Sequence, residues 1–206
     1  MRRLILAIAA AGAFALVATT ATAQQFINVL TGGTSGIYYP IGVALSNIYG
    51  PVLPEVKISV QATKASVENL NLLQTGRGEV ALTLGDALSQ AWAGNEEAGF
   101  KQPLAKLRGI SAMYSNYIQI VARADAGIKS LKDLKGKRIS VGAAKSGTEL
   151  NARAVLAAAG IQYKDFAKVE YLPYAESVEQ LKNRQIDVTL QSAGLGNPAL
   201  RDLANS

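Results

Sequence analysis

Two glycine-containing loops are the strongest candidates for binding chemistry in the sequence. Residues 31–36 read Thr-Gly-Gly-Thr-Ser-Gly between a predicted strand and a predicted helix, and residues 142–148 read Gly-Ala-Ala-Lys-Ser-Gly-Thr at an equivalent position later on. The N–H groups of such a loop and of the helix that follows can converge on one anion. An ordinary strand-to-helix connection is the alternative for each loop. The second loop lacks the spacing of a P-loop.

Further polar and aromatic side chains stand near the ends of predicted strands. Each has a second interpretation as a helix cap or a half-buried packing residue. Ser146 and Glu149 match a capping box, and Lys64 and Lys145 are cations that could equally lie on a solvated surface. The candidate ligand-binding residues are Gly33, Thr34, Tyr38, Ser66, Asn69, Asp86, Tyr114, Ser146, Gly147 and Thr148.

The residue types argue against catalysis. The sequence has no Cys and no His, which excludes thiol nucleophiles, Ser-His-Asp triads, Cys/His zinc sites and disulfides. The adjacent acids Glu96 and Glu97 follow Asn95 in a polar stretch that is typical of a solvated turn. We therefore expect a binding protein with no catalytic residues, no metal and no cofactor.

Composition predicts a globular chain with a mild positive charge. Hydrophobic residues make up 49% and charged residues 17% of the 206 residues, and the formal net charge is +6. Without Arg2 and Arg3, 19 basic side chains remain against 15 acidic ones, a net charge of +4. Because this charge is small and dispersed, nucleic acid is not expected as a partner, whereas an anionic small molecule is favoured.

The N-terminus has the pattern of a secretory signal peptide. Arg2 and Arg3 precede an apolar run over residues 4–18, and Ala21 and Ala23 form a small-x-small cleavage site. Fifteen apolar residues are too few to cross a hydrocarbon core of roughly 30 Å, so a membrane anchor is disfavoured. We predict cleavage after Ala23, a mature N-terminus at Gln24 and a periplasmic location without a membrane span.

The rest of the chain alternates strand and helix patterns, which predicts an α/β fold with mostly parallel sheets flanked by helices. The series restarts near residue 138, so we expect two lobes, over residues 24–118 and 119–206, joined by a crossover strand around a cleft. The predicted strands are Phe26–Thr31, Val56–Gln61, Val80–Leu84, Leu107–Met113, Tyr117–Ala122, Arg138–Val141, Val169–Leu172 and Ile186–Leu190, and the predicted helices cover 40–49, 66–75, 86–93, 147–159, 176–184 and 198–204.

These motifs resemble a known family. Residues 31–42 (Thr-Gly-Gly-Thr-Ser-Gly-Ile-Tyr-Tyr-Pro-Ile-Gly), residues 65–70 and Gly85-Asp86-Ala87 resemble TAXI solute receptors of tripartite ATP-independent periplasmic (TRAP) transporters. Residues 130–142 resemble the opening of the second lobe in type II periplasmic binding proteins. The resemblance implies a two-lobed receptor that closes on a small organic anion, such as an acidic amino acid or another carboxylate, and delivers it to TRAP permease subunits.

The resemblance also implies a longer chain. Members of the family have about 300 residues or more, so we expect this chain to lack the C-terminal part of the second lobe and the return crossover, and to bind weakly on its own. Three alternatives stay open: a binding protein of an ABC-type importer, an exported remnant or antigen (an immunogenic protein) that transports nothing, and an enzyme on the same fold, disfavoured by the missing His and Cys.

Overall fold

The computed structural model describes residues 24–206, which form two sheets flanked by helices. The predicted signal peptide and its cleavage site lie outside the described residues. The strands are β1 (Gln25–Leu30), β2 (Val56–Gln61), β3 (Val80–Ala81), β4 (Tyr117–Ala122), β5 (Arg138–Ser140), β6 (Lys168–Glu170) and β7 (Val188–Ala193). The α-helices are α1 (Tyr38–Tyr49), α2 (Ser66–Gln74), α3 (Gly85–Ala93), α4 (Gly147–Ala158), α5 (Tyr174–Lys182) and α6 (Pro198–Ala204).

The first lobe is built on a parallel sheet with the strand order β2-β1-β3. The central strand β1 pairs with β2 along its whole length, from Gln25 opposite Val56 to Leu30 opposite Gln61. Each of these strands is followed by a loop and a helix, so the loops gather at the carboxyl edge of the sheet. This edge carries the first glycine-containing loop.

The second lobe has the strand order β4-β7-β5-β6. β5 is parallel to both β6 and β7, whereas β4 is antiparallel to β7, with Tyr117 opposite Ala193 and Ala122 opposite Val188. β4 is therefore the strand by which the chain passes from the first lobe into the second sheet. The predicted division between residues 118 and 119 falls inside this strand.

Close packing of α1 on the first sheet depends on a glycine. A Cβ atom on Gly42 would lie 2.6 Å from Thr31 Cγ2 and 3.0 Å from Val60 Cγ1. Without that atom the helix backbone comes directly against β1 and β2. The periodicity of residues 40–49 predicts this helix with Ile41, Ala44, Leu45 and Ile48 on its inner face, but Gly42 is its one buried residue and Ile48 is 62% exposed.

Each lobe has its own hydrophobic core. In the first lobe, α2, α3 and the segment after α3 enclose Phe100, and in the second lobe α4 packs over β5 and β7. The first core contains Val67, Leu70, Leu84, Ala87, Ala91, Ala98, Phe100, Leu104 and Leu107, and the second contains Leu134, Ile139, Val141, Ala152, Leu156, Ile161, Phe166, Val188 and Leu190.

The predicted strand Leu107–Met113 is wrong. Residues 107–113 have no ladder partner among residues 24–206, and Ile110 is 83% exposed. Arg108 donates from Nη1 to the carbonyl oxygens of Ala105 and Leu107, so its side chain stabilises a local turn. A segment with strand propensity forms a strand only where a neighbouring strand offers an edge for its hydrogen bonds.

The described residues contain no helix of the length and hydropathy needed to cross a membrane.

Candidate functional site

A cavity of about 110 Å³ lies between the two lobes, at the carboxyl ends of their strands. The first lobe contributes the loops after β1, β2 and β3, and the second lobe contributes the loops after β5 and β6 and the end of β7. Ligands of open α/β sheets bind at this edge. The lining residues are Gly32, Gly33, Ser35, Gly36, Ile37, Tyr38, Thr63, Lys64, Ala65, Ser66, Leu84, Tyr114, Ala143, Ser146, Gly147, Thr148, Pro173, Tyr174, Ser192 and Ala193.

The starts of α2 and α4 meet across this cavity. Ser146 Oγ accepts a hydrogen bond from Glu149 N at 3.1 Å, which makes it the N-cap of α4. Ser66 Oγ, at the start of α2, accepts from Leu84 N at 3.1 Å. Both hydroxyls act as acceptors in these bonds, so Ser146 keeps a proton that it can donate to a ligand, whereas the Ser66 hydroxyl also lies close enough to Tyr38 Oη to offset part of the increase in that phenol's pKa. Helix N-termini also favour a negative charge.

The two lobes touch at these helix starts. A Cβ atom on Gly147 would lie 2.6 Å from Leu84 Cδ1 and 2.7 Å from Ser66 Oγ. In addition, Glu68 N donates to the carbonyl oxygen of Lys145 at 3.2 Å. The lobes are therefore closed against each other on this side of the cavity.

The residues that precede the two helix starts have unusual backbone conformations. Ala65 has φ 71° and Lys145 has φ 64°, values in the left-handed region that non-glycine residues seldom adopt. Such conformations persist only where the surrounding structure holds them, and they are frequent at binding sites. Here each one turns the chain directly into a helix whose first residues line the cavity.

Three tyrosines form the aromatic wall of the cavity. The rings of Tyr38 and Tyr114 meet edge to face with their centroids 6.3 Å apart, and Tyr38 Oη is buried without a hydrogen-bond partner among residues 24–206. Burial raises the pKa of Tyr38 and Tyr174, and it raises the pKa of Tyr114 to about 12. All three phenols are therefore neutral near pH 7. A ligand that enters can pair with the free Tyr38 hydroxyl.

Lys64 is the one lysine, arginine or acid that lines the cavity within the described part of the chain. Its side chain is exposed at the edge, next to the strained Ala65. The nearby Asp86 lies close enough to Tyr38 to add to the increase in the phenol's pKa, although Asp86 does not line the cavity. The cavity therefore combines one cation and two helix starts with neutral aromatic walls, an arrangement that suits a small anion.

Most of the predicted site residues lie together. Tyr114 reaches the cavity from the segment before β4, and the other lining residues come from loops and helix starts. The predicted residues that line the cavity are Gly33, Tyr38, Ser66, Tyr114, Ser146, Gly147 and Thr148. Whether they contact a ligand stays a prediction.

Three predicted residues lie elsewhere. Thr34 is exposed and does not line the cavity, although its neighbours do; it lies within the tight turn that Gly36 N closes by donating to Gly33 O. Asp86 is exposed, and its carboxylate accepts from Ala87 N at the start of α3. Asn69 is fully buried, and its amide donates to the carbonyl oxygens of Thr31 and Leu82, so it ties the first sheet together below the site.

The predicted capping box at the start of α4 is only half formed. Ser146 caps the helix, but the Glu149 carboxylate accepts from Arg153 Nε and Tyr163 Oη and does not return to the cap. Glu149 is almost fully buried, with a side chain that is 3% exposed. In a complete capping box the Glu149 carboxylate would accept from the backbone N–H of Ser146. Here the carboxylate instead binds Arg153 on the same helix and Tyr163 after it.

Four uncharged polar lining residues are not among the candidate ligand-binding residues: Ser35 and Thr63, which lie in loops after predicted strands, and Tyr174 and Ser192. Tyr174 begins α5 directly after Pro173, and Ser192 lies in the buried strand β7. The sequence carries a signal for Tyr174, because Pro173 and Tyr174 stand between a predicted strand and a predicted helix. Tyr38 has a similar position, between the first glycine-containing loop and the helix that follows it. For Ser192 a small polar residue in an apolar strand gives no such signal.

Among residues 24–206 no group of three or more acidic side chains is placed to hold a metal ion.

Solved structures share this fold at low sequence identity. The alkanesulfonate-binding protein SsuA from Xanthomonas axonopodis pv. citri, bound to MOPS, is 19% identical with a TM-score of 0.54 and covers 82% of this chain. A binding protein component of an ABC phosphonate transporter from Pseudomonas aeruginosa is 15% identical with a TM-score of 0.55 over 89%. A mutant of ArgBP from T. maritima is 16% identical with a TM-score of 0.56 over 88%.

These proteins have the two-lobed fold of periplasmic binding proteins, and the two sheets described above follow it. The chain spans 55% of the SsuA structure, 61% of the phosphonate-binding protein and 72% of ArgBP. At these identities the likeness concerns the fold. The sequence itself matches the model of the NMT1-like family over residues 29–206, and the chain belongs to that family.

Proposed function

We propose that this chain is an extracytoplasmic solute receptor that binds a small organic anion in the cavity between its lobes. The observation that carries the proposal is the meeting of two helix starts, two serine hydroxyls and Lys64 around one cavity with neutral aromatic walls. Two of the three structural neighbours are named for anionic ligands, a sulfonate and a phosphonate, which supports the same ligand class.

The finer proposal is a carboxylate ligand, such as an acidic amino acid, that is delivered to a TRAP-type permease. It rests on the resemblance of residues 31–42 to TAXI receptors. Delivery to an ABC-type importer is the second candidate, favoured by the ABC phosphonate transporter component among the structural neighbours. Uptake assays in the source cell separate the two, because TRAP transport needs an ion gradient whereas ABC transport needs ATP hydrolysis.

Calorimetry tests the ligand class. The purified full chain is titrated with glutamate, short dicarboxylates, an alkanesulfonate, neutral amino acids and polyamines. We expect heat of binding from the anions alone, because two helix starts and one lysine face a cavity that no carboxylate lines within the described residues. Tight polyamine binding would overturn the proposal, and so would the absence of binding to every anion together with no small anion retained in native mass spectrometry.

A further inference from the structure

Three residues on one face of α4 contact the first lobe: Gly147, Leu150 and Arg153. Gly147 contacts Ser66 and Leu84, and Leu150 packs against the first lobe's core cluster. Arg153 Nη1 then donates to the carbonyl oxygen of Glu97 at 2.8 Å. These α4 residues are three positions apart and so share a face of the helix. Of the three, Gly147 alone lines the cavity, so Leu150 and Arg153 hold the lobes together away from the ligand.

A buried carboxylate holds the Arg153 side chain in place. Glu149 Oε1 accepts from Arg153 Nε at 2.6 Å, one helical turn away, and from Tyr163 Oη at 2.9 Å. The Glu149 side chain is 3% exposed, whereas that of Arg153 is 51% exposed. Fixing an exposed arginine costs rotamer freedom. The charge-assisted bond to Glu149 already fixes the guanidinium, so little further freedom is lost when the guanidinium binds the Glu97 carbonyl.

The geometry of the guanidinium makes this arrangement specific to arginine. Its Nε donates to Glu149 in the second lobe while Nη1 donates to Glu97 in the first lobe. An ammonium group has a single nitrogen on a flexible chain and cannot reproduce this fork. The Glu97 contact uses the main-chain carbonyl, so the Glu97 side chain is not required.

We infer that Glu149 and Arg153 form an interlobe latch that sets the population of the closed state independently of contacts to the ligand. Glu149 is the positioning residue, and Arg153 makes the contact between the lobes. The inference rests on the proposed function in one respect, since a receptor must open to admit its solute. The latch then determines how often the empty receptor is closed, and thereby the apparent affinity for any ligand that binds the closed form.

The test measures the distance between the lobes without any ligand. The chain has no cysteine, so spin labels can be placed by Lys57→Cys in the first lobe and Lys132→Cys in the second, both exposed positions away from the latch. Double electron–electron resonance then compares the parent chain with Arg153→Lys, Glu149→Gln and Glu97→Ala. All variants are first checked for an unchanged circular dichroism spectrum and a cooperative melt.

We expect Arg153→Lys and Glu149→Gln to lower the ratio of closed to open molecules roughly fivefold, the effect of one lost hydrogen bond of ordinary strength. Glu97→Ala should leave the distance distribution unchanged because its carbonyl remains. Identical distributions for the parent and Arg153→Lys would overturn the latch, and an effect of Glu97→Ala equal to that of Arg153→Lys would overturn the main-chain contact. Since no ligand is added, these outcomes do not depend on whether an anion binds.

Discussion

Thr148 and Tyr174 form a hydrogen bond of 2.6 Å between their side-chain oxygens at the floor of the cavity. The Tyr174 hydroxyl donates its single proton to the carbonyl oxygen of Ser192 at 2.8 Å, so Thr148 is the donor to Tyr174. Thr148 thus has no free proton for a ligand in this arrangement. Its role here is to hold Tyr174, whereas Ser146, which only accepts from Glu149 N, keeps a proton to donate.

The first prediction concerns this network. Tyr174→Phe removes the hydroxyl and leaves the Ser192 carbonyl and the Thr148 hydroxyl without their partner in a buried place, so we expect the free energy of unfolding to fall by about 1–3 kcal/mol. Tyr171→Phe is the matched control, because Tyr171 is 44% exposed and its hydroxyl is in no hydrogen bond among the described residues. Urea denaturation of both variants measures the difference. Equal stability of the two would contradict the network.

The fold was largely predictable because hydrophobic periodicity and turn residues act locally. β2 and β4 begin and end at the predicted residues, and α6 covers the predicted 198–204. The strand predicted at Leu107–Met113 did not form, because strand formation also depends on a partner edge that a single segment's pattern does not reveal. Periodicity likewise overestimated the burial of Ile48, since the contact of α1 with the sheet is decided by Gly42.

The site was predictable where it is made of loops between strands and helices. Glycines and helix starts mark such loops in the sequence, and Gly33, Ser66, Ser146 and Gly147, which were chosen on these features, line the cavity; their contact with a ligand stays a prediction. Side-chain direction is not marked in this way. Asn69 points into the first lobe and binds main-chain carbonyls, and Tyr174 enters the cavity from a loop without glycine.

The second prediction concerns Asn69. Its amide nitrogen lies 2.6 Å from the Thr31 carbonyl oxygen and 2.8 Å from that of Leu82, and its Oδ1 accepts from the Thr63 hydroxyl at 2.6 Å. Asn69→Ala leaves the Leu82 carbonyl without this partner, whereas the Thr31 carbonyl can still accept from the Thr63 hydroxyl at 2.9 Å, so we expect a loss of about 1–3 kcal/mol in the free energy of unfolding. The control is Asn47→Ala on the exposed face of α1. A loss below about 0.5 kcal/mol in Asn69→Ala would show that the hydrogen bonds of Asn69 contribute little to stability.

The third prediction concerns the contact between the lobes at Gly147. A Cβ atom there would come within 2.6 Å of Leu84 Cδ1 and 3.0 Å of Ser66 Cβ, so Gly147→Ala should separate the lobes and weaken anion binding by tenfold or more. Gly85→Ala is the matched control: Gly85 also begins a helix after a strand, but a Cβ there meets nothing within 4 Å. Calorimetry measures both affinities. Unchanged affinity in Gly147→Ala would mean that ligand binding does not require this contact.

The fourth prediction is a dependence of stability on pH. Hydrogen bonds from the Arg138 guanidinium lower the pKa of Asp187 from 3.8 to about 2 in the folded state. Because the folded pKa is the lower one, the stabilisation is complete above about pH 4 and is lost as the pH falls toward 2. Asp187→Asn should therefore remove about 1 kcal/mol at pH 7, with allowance for solvent screening, and only a small part of that at pH 2, where about half of the folded molecules have a protonated Asp187.

Thermal melts of the parent chain and Asp187→Asn from pH 2 to pH 7 measure this window. Asp202→Asn serves as the control, since Asp202 pairs with Lys182 at the surface and its side chain is 61% exposed. We expect the curves of the parent and Asp187→Asn to approach each other as the pH falls from 4 toward 2, whereas Asp202→Asn should change stability little because its ion pair is exposed. A constant difference between the parent and Asp187→Asn would exclude the coupling to Arg138.

The last prediction concerns the charge at the cavity. Lys64 is the one lysine that lines it among residues 24–206, and within that range no carboxylate lines it, so Lys64→Gln removes the only side-chain cation that can attract an anionic ligand there. Because the side chain is exposed and screened, we expect a moderate loss of affinity, roughly three- to tenfold at low salt and less at high salt. Lys57→Gln on the exposed edge strand β2 is the control for the change in net charge. Calorimetry at two ionic strengths separates the outcomes: an equal effect of both substitutions would indicate general charge attraction, whereas a salt-dependent loss confined to Lys64→Gln would locate the bound anion beside the start of α2.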